Sequence, residues 1–246
     1  QAFYNYMINF NCKVIGLSAT PIKIYPFQNL IHTYTLYDAL INGYLVKPQI
    51  IWFTKEGKLT INEIIIEIDF IIKDLPYKKL VVWCGLIKEC NELALLFSRF
   101  FVNFKICVDT SKSCENLSFG TFDDFKNIDK NAFLFCAAKH REGSDIKNLD
   151  GCIFMDKVTK RTPKTFIQCL GRVLRLNDNK KTGIIIDIKA KSAYDVIKRM
   201  ALYLNNDYEF PYDYSYYYSN NGKIKINNLL IQKTENKEST EIINEN

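Results

Sequence analysis

Apolar positions along this chain switch between two periods. The runs Leu80–Cys84, Phe104–Thr110, Ala132–Ala138, Cys152–Val158 and Gly183–Ile188 are largely apolar throughout, as strands buried on both faces are. Residues 61–75 instead place apolar side chains at 61, 64, 65, 68, 71, 72 and 75, and residues 87–101 place them at 90, 93, 94, 97 and 101. Both spacings are helical. The first segment is rich in isoleucine, which argues for a strand; the spacing predicts a helix. Helices are also predicted over 121–128, 163–176 and 192–204, and strands over 12–20 and 49–54. Residues 34–48 read as a helix that turns extended, with Gly43 as its C-cap and Pro48 barring its continuation. Near-continuous strands alternating with amphipathic helices predict an α/β fold, a parallel sheet with helices on both faces. Ligands of such sheets gather at the carboxyl ends of the strands.

After residue 205 the pattern changes. Six tyrosines (Tyr208, Tyr212, Tyr214, Tyr216, Tyr217 and Tyr218) crowd residues 208–218. They read as an extended arm packed on the domain more readily than as a stacking platform. Residues 233–246 are polar and charged and are expected to be disordered.

The chain has 246 residues, 48% hydrophobic and 24% charged, the composition of a soluble globular protein. No apolar run approaches the roughly 18 residues of a membrane helix, and no signal-peptide pattern opens the chain. Net charge is +6, yet residues 157–191 hold ten Lys/Arg against Asp178 and Asp187, so that segment is +8 and the remainder −2. A localised basic segment suggests a polyanionic partner, nucleic acid or nucleotide phosphate. Eight cysteines form no C-x-x-C pair, and several lie inside apolar runs as small hydrophobes. Reduced thiols and an intracellular location are expected. His32 and His140 are too few to suggest a metal site.

Three stretches carry candidate chemistry. In the helix predicted over 163–176, Gln168, Arg172 and Arg175 fall on one stripe opposite Phe166, Ile167, Leu170, Val173 and Leu174. Paired guanidiniums suit phosphate, and can stabilise charge on a transferring phosphoryl group. Residues 137–146 (AAKHREGSDI) follow a buried strand. There Gly143 permits close backbone approach, Asp145 can accept from a sugar hydroxyl, and Lys139, His140 and Arg141 can approach phosphate. Residues 16–21 (GLSATP) place the hydroxyls of Ser18 and Thr20 just beyond a strand.

Ser18-Ala19-Thr20, then Arg141-Glu142-Gly143-Ser144-Asp145, then Gln168-x-x-Gly171-Arg172-x-x-Arg175 together resemble motifs III, V and VI of superfamily-2 helicases, in order and spacing. Residues 35–48 resemble the connector between the two motor domains in the type III restriction and repair-helicase branch, and Leu80–Cys84 with its following helix resembles motif IV. The resemblance covers about residues 10–205. It implies a RecA-like second motor domain preceded by the last strand of a truncated first one. The implied organisation is a first-domain remnant at 1–33, a connector at 34–48, the second domain at 49–205, a tyrosine-rich extension at 206–232 and a disordered tail at 233–246.

By that resemblance Arg172 and Arg175 would be arginine fingers at the γ-phosphate of ATP, with Gln168 beside the phosphate or the attacking water. Gly143 and Asp145 would touch the ribose and the domain interface. Ser18 and Thr20 would couple hydrolysis to movement. Cys84, Gly85, Thr110, Ser111, Lys139 and Arg141 would lie towards a nucleic-acid backbone, with DNA expected over RNA from the connector. No G-x-x-x-x-G-K-[ST] and no Asp-Glu pair occurs, so the phosphate cradle and the Mg²⁺ site are expected on a first motor domain supplied in cis or in trans. The absence of a start Met reads as a fragment or a processed chain. The composition, rich in Ile, Asn, Lys, Tyr and Phe, fits an AT-rich genome such as that of a large DNA virus. Two alternatives stand beside a helicase or translocase half: a non-catalytic nucleic-acid-binding module, and a different doubly wound enzyme, disfavoured because no G-x-G-x-x-G follows a strand.

Overall fold

The computed structural model describes residues 34, 36–54, 60–111, 119–137, 139, 144–156 and 163–188, with the backbone of four strands between 214 and 243. The chain divides into two units, Gln1–Tyr34 and Thr35–Asn246, and every element below belongs to the second. The strand predicted over 12–20, carrying Ser18 and Thr20, and the helix predicted over 192–204 lie outside the described residues.

Helix α1 (Leu36–Ile41) ends as its sequence predicts. Gly43 takes a φ of +72°, and the amides of Gly43 and Tyr44 donate back to the carbonyls of Leu40 and Ala39 at 3.1 and 2.8 Å. A side chain at that φ would be strained, so glycine suits the position. The chain then straightens into β1 (Lys47–Thr54).

Helix α2 (Ile61–Ile72) settles the isoleucine-rich segment as a helix. Thr60 and Glu63 form a capping box: the Thr60 amide donates to Glu63 Oε2 at 2.8 Å, and the Glu63 amide donates to Thr60 Oγ1 at 3.3 Å. Ile64, Ile65, Ile68, Ile71 and Ile72 are all buried. Each contributes about 1.5–3 kcal/mol, against a propensity cost of a few tenths of a kcal/mol per isoleucine. Burial therefore decides the conformation.

The elements then alternate: β2 (Lys79–Trp83), α3 (Ile87–Phe100), β3 (Lys105–Asp109), α4 (Phe122–Asn127), β4 (Ala132–Cys136), β5 (Gly151–Phe154), α5 (Pro163–Val173) and β6 (Thr182–Asp187). The sheet runs β3-β4-β2-β5-β6-β1, every neighbouring pair parallel. Its RecA-like α/β layout is the expected fold class. Side chains alternate across it. Ile51, Ile186, Ile153, Val82 and Phe135 share one core cluster with α2 and α3. Gly183 points the other way, towards Val173 and Leu174 at the end of α5. Helices thus cover both faces.

Two further strands widen the sheet. β7 (Tyr214–Tyr218) pairs parallel with β1, and β8 (Gly222–Ile226) pairs antiparallel with β7. The tyrosine-rich segment thus enters the sheet as a strand. Within the stretch whose composition predicts disorder, β10 (Thr240–Ile243) pairs antiparallel with β9 (Leu230–Lys233). Its register sets Ile242 opposite Ile231 and Ile243 opposite Leu230, two short apolar runs that overall polarity conceals.

Candidate functional site

Helix α5 opens on Pro163, where a missing amide hydrogen is harmless. It ends at Val173, short of the predicted Leu176, because its last carbonyls are claimed from elsewhere. The Val46 amide donates to the Leu174 carbonyl at 2.9 Å, and Leu45 forms an isolated antiparallel bridge with Arg175. The Lys180 ammonium donates to the Val173 carbonyl. Arg175 therefore stands on a bridge just past the helix, not on the helical stripe that the spacing predicts.

The displacement still brings the two arginines to one place. Arg172 Nη1 donates to the Ser144 carbonyl, and Arg175 Nη1 pairs with Asp145 Oδ1. Gln168 lies one turn before Arg172 and is half-buried, as is Gly171. Motif-like positions more than twenty residues apart in sequence, 144–145 and 172–175, thus meet in space. Arg141 and Gly143 lie outside the described residues, as does His140.

A buried polar cluster supports this arrangement. Lys180 donates also to the Leu149 carbonyl. Burial pushes its pKa down to about 8, opposed by the nearby Asp150 carboxylate. Burial likewise raises Asp150, opposed by the Tyr77 amide, which donates to Asp150 Oδ2 at 2.9 Å. The Tyr77 hydroxyl reaches the Asp178 carbonyl at 2.5 Å. Neither Lys180 nor Asp150 is a candidate by its sequence. The turn Asn177-Asp178-Asn179-Lys180-Lys181 reads as solvated, and only burial in the fold distinguishes one lysine from the other.

The remaining predicted residues lie at the carboxyl ends of β2, β3 and β4. Lys139 is tethered twice: its carbonyl accepts from Trp83 Nε1 at 3.1 Å, and its ammonium pairs with Asp109 Oδ1 at 2.6 Å and reaches the Thr110 carbonyl at 3.3 Å. The amides of Gly85 and Leu86 both donate to Glu89 Oε2 at 3.2 Å. Gly85 and Ser111 are exposed and Thr110 is half-buried. Cys84 departs from expectation. It is only 1% exposed, with its thiol against Cys90 and its amide bonded to the Cys136 carbonyl at 2.9 Å, so neither the thiol nor the amide faces a ligand at the surface. The described cysteines at 84, 90, 107, 136, 152 and 169 are all buried.

Among the described residues, no group of three or more His, Cys, Asp or Glu could hold a metal ion, and no helix is long and apolar enough to cross a membrane. The donors gathered around Arg172 and Arg175 are guanidiniums and an amide, which suit phosphate oxygens and not a cation.

Residues 60–177 match the helicase conserved C-terminal domain, and the parallel sheet is the RecA-like fold of that domain. No curated protein matches in sequence. Among solved structures, a fragment assigned as an HsdR subunit of a type I restriction enzyme from Vibrio vulnificus YJ016 aligns with a TM-score of 0.58 at 18% identity, over 80% of this chain and 42% of that one. The C-terminal domain of the DEAD-box protein Dbp5 aligns with a TM-score of 0.51 at 13% identity, over 73% of this chain and 94% of that one. The chain thus spans less than half of the restriction-subunit fragment. At these identities the likeness is one of fold.

Proposed function

We propose that this chain is the C-terminal half of an ATP-dependent helicase or translocase acting on nucleic acid, DNA before RNA. Its second motor domain supplies Arg172 and Arg175 to the γ-phosphate of an ATP bound chiefly by a first motor domain, with Gln168 at the phosphate or the attacking water. The observation that carries this reading is the meeting of Arg172 and Arg175 with Ser144 and Asp145 inside a segment matching a helicase C-terminal domain. Mg²⁺-ATP would supply the phosphoryl group, and this chain would supply the positive charge that stabilises its transfer to water. In the structure Arg175 is paired with Asp145. A γ-phosphate would take over the guanidinium and leave Asp145 to accept from the ribose or the opposing domain. Gly143 would let the nucleotide approach the backbone, and Ser18 and Thr20 would relay hydrolysis to movement. Gly85, Thr110, Ser111, Lys139 and Arg141 would form part of the nucleic-acid track.

The test joins the chain to a first RecA-like domain carrying the phosphate-binding loop and measures nucleic-acid-stimulated ATP hydrolysis. Arg175→Ala should lower turnover by about 10³-fold if the guanidinium acts as a finger. Unchanged turnover would remove that role.

A second reading, a non-catalytic nucleic-acid-binding module, is favoured by one observation. The guanidiniums of Arg172 and Arg175, the groups a phosphoryl transfer would need, are bonded to groups of the chain itself. That reading requires salt-dependent DNA binding by the chain alone, indifferent to ATP. Absence of binding at low salt excludes it.

A further inference from the structure

Lys180 belongs to neither candidate surface, yet it is a lysine only 6% exposed. Lysine is seldom buried without partners. Its two carbonyl acceptors belong to the two stretches that build the arginine site. Leu149 follows Ser144 and Asp145 on one stretch, and Val173 lies between Arg172 and Arg175 on the other. Capping α5 would require only the Val173 carbonyl. The second acceptor, on a different segment, makes the ammonium a strut between the two.

The exposed contacts cannot do this work alone. The Arg175 and Asp145 side chains are 47% and 78% exposed. An ion pair so placed contributes about 0–1 kcal/mol and holds its partners loosely. Hydrogen bonds to a buried ammonium are stronger, because little water competes for either partner. Asp150, fully buried and within electrostatic reach, keeps the ammonium from being an isolated buried charge.

We infer that Lys180 is a positioning residue: through the Leu149 and Val173 carbonyls it locks the 144–149 segment to the end of α5 and so sets where Arg172 and Arg175 stand. The geometry is independent of what the arginines bind. Its bearing on turnover rests on the proposed phosphate role.

The test uses the whole chain with ¹⁵N-labelled arginine. Nε–Hε signals are assigned through Arg172→Lys and Arg175→Lys. In the wild type both should be ordered, and in Lys180→Met both order parameters should drop into the flexible range, below about 0.6, while the domain stays folded. Arginine signals as ordered as the wild type in folded Lys180→Met would overturn the inference. Should Lys180→Met not fold, Lys180→Gln takes its place, since its amide can satisfy one buried carbonyl while its shorter, uncharged arm cannot reach both. Wild-type order there would likewise overturn it. In the joined enzyme Lys180→Met should lower kcat by about 10²-fold, as misplacement of a reacting group does, with the KM for nucleic acid unchanged. Loss of arginine order together with an Arg175→Ala enzyme of normal turnover would uphold the strut and remove the finger.

Discussion

Two glycines at the arginine site should answer the same substitution in opposite directions. Gly171, inside α5, has nothing within 4 Å of where a Cβ would stand. Glycine in a helix interior costs about 0.5–1 kcal/mol relative to alanine. Gly171→Ala should therefore stabilise the chain by that amount. At about 2–4 °C per kcal/mol for a domain of this size, Tm should rise by about 1–4 °C. At Gly183 a Cβ would stand 2.7 Å from the Val173 carbonyl oxygen, 2.7 Å from Leu174 Cδ2 and 3.0 Å from Val173 Cγ1. The carbonyl is already held by Lys180, and both side chains are buried, so none of the three can retreat without lifting the end of α5. Overpacking of this kind costs about 1–3 kcal/mol, and Gly183→Ala should lower Tm by about 2–12 °C. Thermal unfolding of both variants beside the wild type, followed by far-UV circular dichroism, reads the pair. A fall in Tm for Gly171→Ala, or none for Gly183→Ala, would refute the packing described. Gly171 tests the function as well. An alanine that is harmless in the isolated chain should reduce turnover in the joined enzyme if, as proposed, a first motor domain closes on the Arg172 face. A raised Tm with undiminished turnover would mean that nothing closes there.

Asp109→Asn should release the Lys139 ammonium from its 2.6 Å ion pair. The pair is partly exposed, so stability should change by less than about 1 kcal/mol. Binding of a labelled single strand, read by fluorescence anisotropy, should tighten roughly three- to tenfold at low salt and converge with the wild type near 1 M salt. Equal affinity at low salt would take Lys139 off the phosphate track, and Asp69→Asn on α2 controls for net charge. The pH dependence of stability should carry a Lys180 signature. Its pKa is about 8 when folded against the ordinary 10.5, so between those values the unfolded chain binds the extra proton. Stability therefore rises with pH across that window. Urea unfolding should show the wild type gaining on Lys180→Met from pH 8 upward. Parallel profiles would contradict the buried ammonium.

Much of the fold is legible in the sequence because it follows from local rules. Gly43 stops α1 through a φ that favours glycine, and isoleucines at helical spacing stay helical because one face is buried. Continuous apolar runs are parallel strands covered on both sides. The meeting of 144–145 with 172–175 is legible only through the family resemblance, since no local rule relates them. Three features are not local at all. Helix α5 ends early because Val46, far back in the chain, takes the Leu174 carbonyl. Cys84 is withdrawn from the surface because its side chain packs into the core cluster beneath α2 and α3. Lys180 and Asp150 look solvated in the sequence and are buried by the convergence of β5, β6 and α5. Each depends on a partner chosen by the tertiary fold.

The two candidate surfaces sit at opposite ends of the strands, and one stretch of chain belongs to both. Lys139 follows the carboxyl end of β4, whereas Asp145 meets Arg175, which bridges Leu45 just before β1 begins. Six peptide steps separate Lys139 from Asp145, a span of at most about 20 Å, and a five-residue strand measures about 16–17 Å. Any coupling between a nucleic-acid track and a phosphate site has its shortest covalent route here. The anchor at the Lys139 end is the Trp83 indole, whose Nε1 donates to the Lys139 carbonyl at 3.1 Å while its ring stacks on Phe154 at 5.2 Å. Trp83→Phe keeps an aromatic ring and removes the donor. In the joined enzyme it should reduce the stimulation of ATP hydrolysis by nucleic acid while leaving basal turnover near the wild-type rate, because Arg172, Arg175 and Lys180 are untouched. If basal and stimulated rates fall by the same factor, the indole is only filling the core and the tether does not carry the signal.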